Sequence, residues 1–374
     1  MNISSFENCY GCGVCISVCS KQLLHLALNK EGFYSPVLLH KESCTDCGMC
    51  ISVCAYNHKR LASNEDNVLK SYAIWTDDKT VLRQCSSGGA GFELAKNLIL
   101  QGYKACGVKY DIKNQRAEHF IANTVGAYEA SRGSKYIQSY TVDAFKEFNN
   151  TDKYVVTGTP CQIDSLRHYI KKTKREENFV LIDFFCHGVP SMYLWKNYSN
   201  KVEKEIGSIT SISWRNKDTG WHDSWVMTAS SQERNWESFL SKGDLFYLLF
   251  LKDVCLNKAC YEKCKYKIDQ SSADIRIGDL WGTSYKRNDE GVSGVISFTP
   301  RGEEILTQLK NNCTVKEETL SVVTEGQMTK SPKKPFIRGI VIRGLEKGQS
   351  LEYIYYVKIA MYLIFEKIKR KVNG

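Results

Sequence analysis

The chain has 374 residues, enough for a small module and a body of one or two domains, and its sixteen cysteines are too many for chance yet too sparse for a disulfide scaffold. The formal charge is +10, but residues 330–374 hold eleven Lys and Arg against three acidic residues, so no basic nucleic-acid groove is expected across the body. The opening MNISSFENCYGC has no charged-then-apolar leader, and no uninterrupted apolar run reaches about 18 residues, so a cytoplasmic protein without a membrane span is expected.

Eight cysteines come first, in two copies of one C-x2-C-x2-C-x3-C run. Cys9, Cys12, Cys15 and Cys19 form the first, Cys44, Cys47, Cys50 and Cys54 the second, and GCGVCISVC returns as DCGMCISVC. This spacing belongs to the [4Fe–4S] clusters of bacterial-type ferredoxins, where the fourth cysteine of each run ligates the other cluster. One cluster then takes Cys9, Cys12, Cys15 and Cys54, and the other Cys44, Cys47, Cys50 and Cys19. Structural zinc has no use for the third close cysteine or the crossed fourth, and a disulfide framework belongs to short secreted chains. Ser20 and Ala55 stand where a proline usually follows the fourth cysteine, which bears on loop rigidity.

Residues 1–65 are expected to form this ferredoxin-type module, closed by the polar stretch at Ser63–Asn67. Leu23, Leu24, Leu26 and Leu28, with Phe33, Val37 and Leu38, suit short strands and a turn between the runs. A body over 70–320 then alternates strands and helices. Expected strands are Ser71–Thr76, Tyr103–Tyr110, Lys153–Thr157, Phe179–Phe185 and Asp274–Gly278, with Ile209–Arg215 and Trp225–Ala229 as sheet edges. Expected helices are Gly89–Gln101, Val142–Phe148, Pro160–Lys172 and Phe239–Leu251. The fold class is therefore an α+β ferredoxin-like dicluster module followed by an α/β body with a mixed sheet covered by helices. Residues 330–374 read as a basic amphipathic tail, with a helix over Leu351–Lys371 ending in KIKRK. That helix suits either packing on the body or peripheral contact with an anionic membrane face.

More cysteines stand at the ends of expected strands. Thr159 suits a helix N-cap and Pro160 a first helical position, placing Cys161 in the first turn, where the dipole favours thiolate. Cys186 closes the next strand, and Cys255, Cys260 and Cys264 crowd a lysine-rich loop. Four of these five suit a third [4Fe–4S] cluster, with zinc or plain core cysteines as the alternatives. Cys85, Cys106 and Cys313 have no partner in sequence. The small residues of Cys85–Ala90 before a helix suit a phosphate, such as a flavin or nucleotide tail, or an ordinary cap. Ser131–Tyr136 is a second small, cationic loop, for which a solvated turn is the plain reading.

Taken together, CSSGGAG at Cys85–Gly91, RGSKYIQS at Arg132–Ser139, TGTPCQI at Thr157–Ile163 and CHGVPS at Cys186–Ser191 resemble the beta subunit family of coenzyme F420-reducing hydrogenases and dehydrogenases. CLNKACYEKC at Cys255–Cys264 and ADIRIGDLWG at Ala273–Gly282 complete the set, in order over roughly residues 70–300. The resemblance implies a flavin, FAD or FMN, beside a third [4Fe–4S] cluster. Its ligands would be Cys161, Cys186, Cys260 and Cys264, with Cys255 as the substitute. Ser87, Gly88, Gly89, Ser134 and Lys135 would line the flavin, with Lys135 meeting its phosphate or ring.

The expected function is an iron–sulfur flavoprotein oxidoreductase. Clusters move single electrons, and the flavin exchanges a hydride equivalent with a small-molecule substrate, either coenzyme F420-like or another bacterial one. A soluble donor or acceptor such as ferredoxin, or a partner enzyme, completes the circuit. His187, beside Cys186, is the candidate proton donor, though a lone histidine also serves as a structural hydrogen-bonder. An electron-transfer subunit without its own substrate, docked on a partner enzyme, is the rival reading.

Overall fold

The computed structural model describes residues 2–6, 8–63, 68–261 and 264–364. The boundary stretch 64–67 and the basic KIKRK segment therefore lie outside the described residues, as do Glu262 and Lys263 of the cysteine loop.

The first module is built round a hairpin of β1 (Leu24–Leu28) and β2 (Tyr34–Leu38), paired antiparallel. Asn29 closes its turn, its side-chain oxygen accepting from the N–H groups of Glu31 and Phe33 at 2.9 and 3.2 Å. The body contributes β3 (Lys70–Thr76), β4 (Lys104–Asp111), β5 (Arg116–Ala122), β6 (Ser139–Tyr140), β7 (Tyr154–Thr157) and β8 (Phe179–Phe184). After these come β9 (Ser211–Ser213), β10 (Val226–Ser230), β11 (Asn235–Phe239), β12 (Ile275–Asp279), β13 (Ser293–Ser297) and β14 (Cys313–Glu318). Nine of them form one mixed sheet in the order β14-β3-β13-β12-β8-β7-β4-β5-β6. Its centre is parallel, with β12, β8, β7 and β4 running the same way. That explains the near-continuous apolar runs of β7 and β8, which are covered on both faces. The expected edges at Ile209–Arg215 and Trp225–Ala229 instead join β11 in a separate three-stranded antiparallel sheet.

Between β7 and β8 runs the helix Pro160–Lys172, as read from the sequence. Gln162 reaches back to accept from the Thr159 N–H at 2.8 Å, Pro160 occupies the first turn, and Lys171 and Lys172 face the negative end of the dipole. The expected helix Phe239–Leu251 is shorter, a 3-10 turn followed by an α-helix over Leu245–Leu251, because Gly243 takes a positive φ and Asp244 caps a fresh start.

One buried ion pair ties the centre together. Arg276 on β12 grips Asp183 on β8 through two bonds of 2.7 and 2.6 Å, both side chains fully buried. The same guanidinium donates to the carbonyls of Ile268 and Gln270, and Ser271 donates to Asp183 at 2.6 Å. The segment after Cys264 is thereby fixed across the two strands.

The first module shares its core with the body. Val14 and Val53 pack among Phe145, Ile163 and Leu166, and Glu31 bridges Arg338 and Lys258 at 2.9 and 3.0 Å. The tail does the same on one face: Ile337, Val341, Leu345, Leu351, Ile354 and Ile359 lie in the largest core cluster. Its other face, with Tyr356, Met361 and Ile364, is exposed. Among the described residues no helix is long and apolar enough to cross a membrane.

Two outcomes follow. Burial pushes the Glu31 carboxyl up, but the Arg338 guanidinium and Lys258 ammonium pull it further down, below the usual glutamate range. Its stabilisation is therefore full above that range and is lost as pH falls through the lowered value. Glu31→Gln weakens the contact by about 1 kcal/mol at neutral pH and removes this pH dependence. Hydrogen exchange of the 29–33 turn reads both. Arg276→Met leaves Asp183 buried and uncompensated, at a cost of about 3–5 kcal/mol in denaturant unfolding; a loss within experimental error would contradict the role given to the pair.

Candidate functional site

The two cysteine runs fold alike. Gly13 and Gly48, at φ 74° and 73°, each start a four-residue helix, Val14–Ser17 and Met49–Ser52, that carries the third cysteine of its run. The thiols of the two runs lie close enough to influence one another: Cys9 feels Cys12 and Cys54, Cys15 feels Cys12, Cys9, Cys54 and Cys50, and Cys50 feels Cys47 and Cys19. Burial, then repulsion from Cys12, pushes Cys9 up to about 12, and the same two causes push Cys54 up to about 11. Crowded, buried thiols of this kind fit a bound cluster, because coordination to iron deprotonates them and spreads their charge.

A second group gathers at the carboxyl ends of β7 and β8. Cys161, Cys186, Cys260 and Cys264 line one void, together with Tyr10 of the first module and Tyr266. Cys161 sits in the first helical turn with the Thr159 hydroxyl 3.2 Å from its sulfur. Lys267 donates to the Cys186 carbonyl at 2.8 Å, holding the lysine-rich loop against the strand end. Burial pushes Cys186 up to about 11 and Cys260 up to about 12. Among the described residues no three donors are placed to hold a single metal ion; the four thiols surround the void instead. Cys255 stands apart. It is fully buried in the largest core cluster, its S–H turned to the Leu249 carbonyl, so it does not share the void.

Beside this void opens a cavity of ≈470 Å³, and Gln162, Cys186, Gly188 and Tyr266 belong to the walls of both. That volume is typical of small-molecule and cofactor sites. Thr157, Phe184 and Asp279, at the carboxyl ends of the parallel strands β7, β8 and β12, line it, which is where open α/β sheets bind ligands. Ser87, Gly89, Ser134, Lys135 and His187 all line it. Gly88 does not: a Cβ there would sit 2.2 Å from the Ile74 carbonyl and 2.5 Å from the Ser293 N–H, so glycine is needed to seat the loop on β3 and β13.

The two small-residue loops are joined by Ser86, whose hydroxyl accepts from Ser134 N–H and Oγ at 2.8 and 3.0 Å. Lys135 is held within its own loop. Its ammonium is clasped by the carbonyls of Ala130, Ser131, Arg132 and Gly133 at 2.8–3.3 Å, which shapes the loop. Burial pulls its pKa down to about 7. Ser87 likewise spends its hydroxyl on the Val292 carbonyl at 2.6 Å. Arg132, which also lines the cavity, has a buried Nε without a hydrogen-bond partner. His187 donates from Nε2 to Asp253 Oδ1 at 2.7 Å and packs edge-on to Phe250.

Several residues of this site carried no signal in the sequence. Arg215 is almost wholly buried, yet binds Asp279 and Tyr136 at 3.0 Å each and the Ser86 carbonyl at 3.2 Å. It lies between the rings of Trp225 and Trp281, while Tyr136 stacks on Trp225 at 4.8 Å. Lys217 clasps the carbonyls of Leu82, Ser87 and Glu290 at 2.6–2.7 Å, and burial pulls it down to about 8. Asp279 and Trp281 stood within the motif Ala273–Gly282, whereas Arg215 stood only at the end of an expected sheet edge and Lys217 in no motif.

Comparison with known proteins agrees with this organisation. Residues 8–58 match the family model described as 4Fe-4S dicluster domain. Residues 151–322 match the model of the C-terminal part of the coenzyme F420 hydrogenase/dehydrogenase beta subunit. No curated protein matches the chain. A chain from the F420-reducing [NiFe] hydrogenase complex of Methanosarcina barkeri is similar at 17% identity, over 75% of this chain and 90% of that one, with a TM-score of 0.48. The two matches together give an N-terminal 4Fe-4S dicluster domain followed, over residues 151–322, by a segment similar to the C-terminal part of the coenzyme F420 hydrogenase/dehydrogenase beta subunit.

Proposed function

We propose that the chain is an iron–sulfur flavoprotein oxidoreductase. The first module would hold two clusters and Cys161, Cys186, Cys260 and Cys264 a third, and such clusters would supply one-electron transfer. The ≈470 Å³ cavity holds a flavin, FAD or FMN, and a small-molecule substrate, coenzyme F420-like or another bacterial one. The observation that carries this reading is the shared wall: Cys186 and Gly188 separate the four-thiol void from the large cavity. A one-electron centre and a ligand of that cavity would lie side by side.

A bound flavin supplies the exchange between single electrons and electron pairs that clusters lack. The chain's own residues supply the rest. The backbone of the Ser86–Gly89 turn, at the start of the helix Ala90–Leu100, offers N–H groups and positive dipole to a phosphate. Arg132 adds positive charge and Tyr136, Trp225 and Trp281 offer flat apolar walls, with the buried Arg215 bracing them from behind through Tyr136 and Asp279. His187, oriented by Asp253, is placed to hold or deliver a proton at its ring nitrogen.

The exposed face of the terminal helix, with Tyr353, Tyr356 and Met361, supports a second reading, in which the chain passes electrons to a partner enzyme and has no substrate of its own.

The test is anaerobic rapid mixing with a reduced ferredoxin as one-electron donor. In the native chain the flavin absorbance bleaches. In Cys260→Ser the flavin is retained and its bleaching slows at least ~100-fold, while Cys255→Ser behaves as native. Equal rates in native protein and Cys260→Ser would contradict the third cluster. A chain isolated without flavin would contradict the oxidoreductase and favour the carrier.

A further inference from the structure

The cysteine runs are copies in sequence and in local shape, but the body treats them differently. A Cβ at Gly13 would sit 2.1 Å from Thr141 Oγ1, and one at Gly11 2.2 Å from Gln138 Nε2, so the first run lies flush against the body. A Cβ at Gly48, the counterpart of Gly13, would meet nothing within 4 Å. Body side chains fasten the first loop by its carbonyls. Thr141 donates to Cys12 O at 2.9 Å, Gln138 to Tyr10 O at 2.9 Å and Asn257 to Cys9 O at 3.2 Å. In the second run Cys47 is exposed.

At Cys12 a sulfur of the first run itself meets the body. Its sulfur lies 3.3 Å from Oγ of Ser165, which is fully buried on the helix Pro160–Lys172. That hydroxyl already accepts from the Ala55 N–H at 3.1 Å, next to Cys54 of the same thiol group. A serine hydroxyl has one proton to give. A cysteine bound to iron is a thiolate and can only accept, so with iron in place the bond runs from Ser165 O–H to Cys12 sulfur. Ser165 also stands one helical turn after Cys161, on the same face of that helix.

We infer that the cluster held by Cys9, Cys12, Cys15 and Cys54 is the inner relay and that held by Cys44, Cys47, Cys50 and Cys19 the outer one, and that Ser165 is the positioning residue that couples the inner cluster to the body. This deepens the proposed function and rests on its assignment of clusters. An electron leaving the outer cluster oxidises it by one and reduces the inner by one; a second such step reduces the body cluster, and no atom or proton moves. Hydrogen bonds to cluster sulfurs help to set potential. The Ser165 bond stabilises the more negative, reduced state and so raises the inner cluster's potential.

The test is redox titration of the anaerobically prepared full chain, followed by electron paramagnetic resonance. In Ser165→Ala one midpoint moves to lower potential while the others stay, and Ser165→Thr restores it. A water-soluble dysprosium chelate relaxes the signal that Cys47→Ala removes and spares the one that Ser165→Ala shifts. Unmoved midpoints in Ser165→Ala overturn the role of Ser165. Should that variant fail to assemble, the chelate decides on native protein and Cys47→Ala alone: relaxation of a signal that survives Cys47→Ala, with the other spared, reverses the order. Loss of the body cluster alone would leave two signals and their inner–outer contrast in place, so failure of the proposed function is told apart from failure of this inference.

Discussion

The fully buried pair of Arg276 and Asp183 is the constraint on which the site depends. It joins β12 to β8 and pins the segment after Cys264 by its backbone carbonyls. Asp183 is three residues before Cys186, so one guanidinium fixes the strand that ends in one thiol and the loop that begins with another. Buried ion pairs rarely add net stability over a packed apolar pair. Their value here is register: two cysteines distant in sequence are held to one void.

Around that centre the fold removes the usual independence of a ferredoxin-type module. Glycines at positions 11 and 13 let its first loop approach the body without intervening side chains, and Val14 and Val53 enter the body's core. Two one-electron centres of a dicluster domain are thereby placed against a body that has thiols of its own and a large cavity behind them. Fusion in one chain replaces diffusional encounter with fixed geometry.

Much of this could be read from the residues, and the failures have physical reasons. The helix Pro160–Lys172 was legible from end to end because Thr159, Pro160 and Gln162 are local signals. The buried strands β7 and β8 announced themselves as apolar runs. By contrast β14, reading CTVKEE, and β5, reading RAEHFIA, carry too much charge to stand out, and their strand state comes from pairing with β3 and β4. The long helix Met192–Ile206 was missed because Asn197, Ser199 and Asn200 are weak helix formers in its middle, although Trp195, Tyr198, Val202 and Ile206 recur on its buried face. Within the site, spacing grouped the first eight cysteines, but sequence alone did not separate Cys255 from Cys260 and Cys264; the fold does, by turning Cys255 into the core. Lys135 was legible as a cation beside the site, whereas its clasp on four carbonyls is a property of the closed loop. Arg215 gave no signal, since nothing local marks a charge as buried.

The central claim is that one chain holds three clusters and a flavin in series. Anaerobic purification with iron, acid-labile sulfide and flavin quantified per chain tests it most directly. The account predicts about twelve irons and about one flavin per chain. About eight irons with no flavin would contradict it and leave a dicluster carrier fused to a body of other purpose.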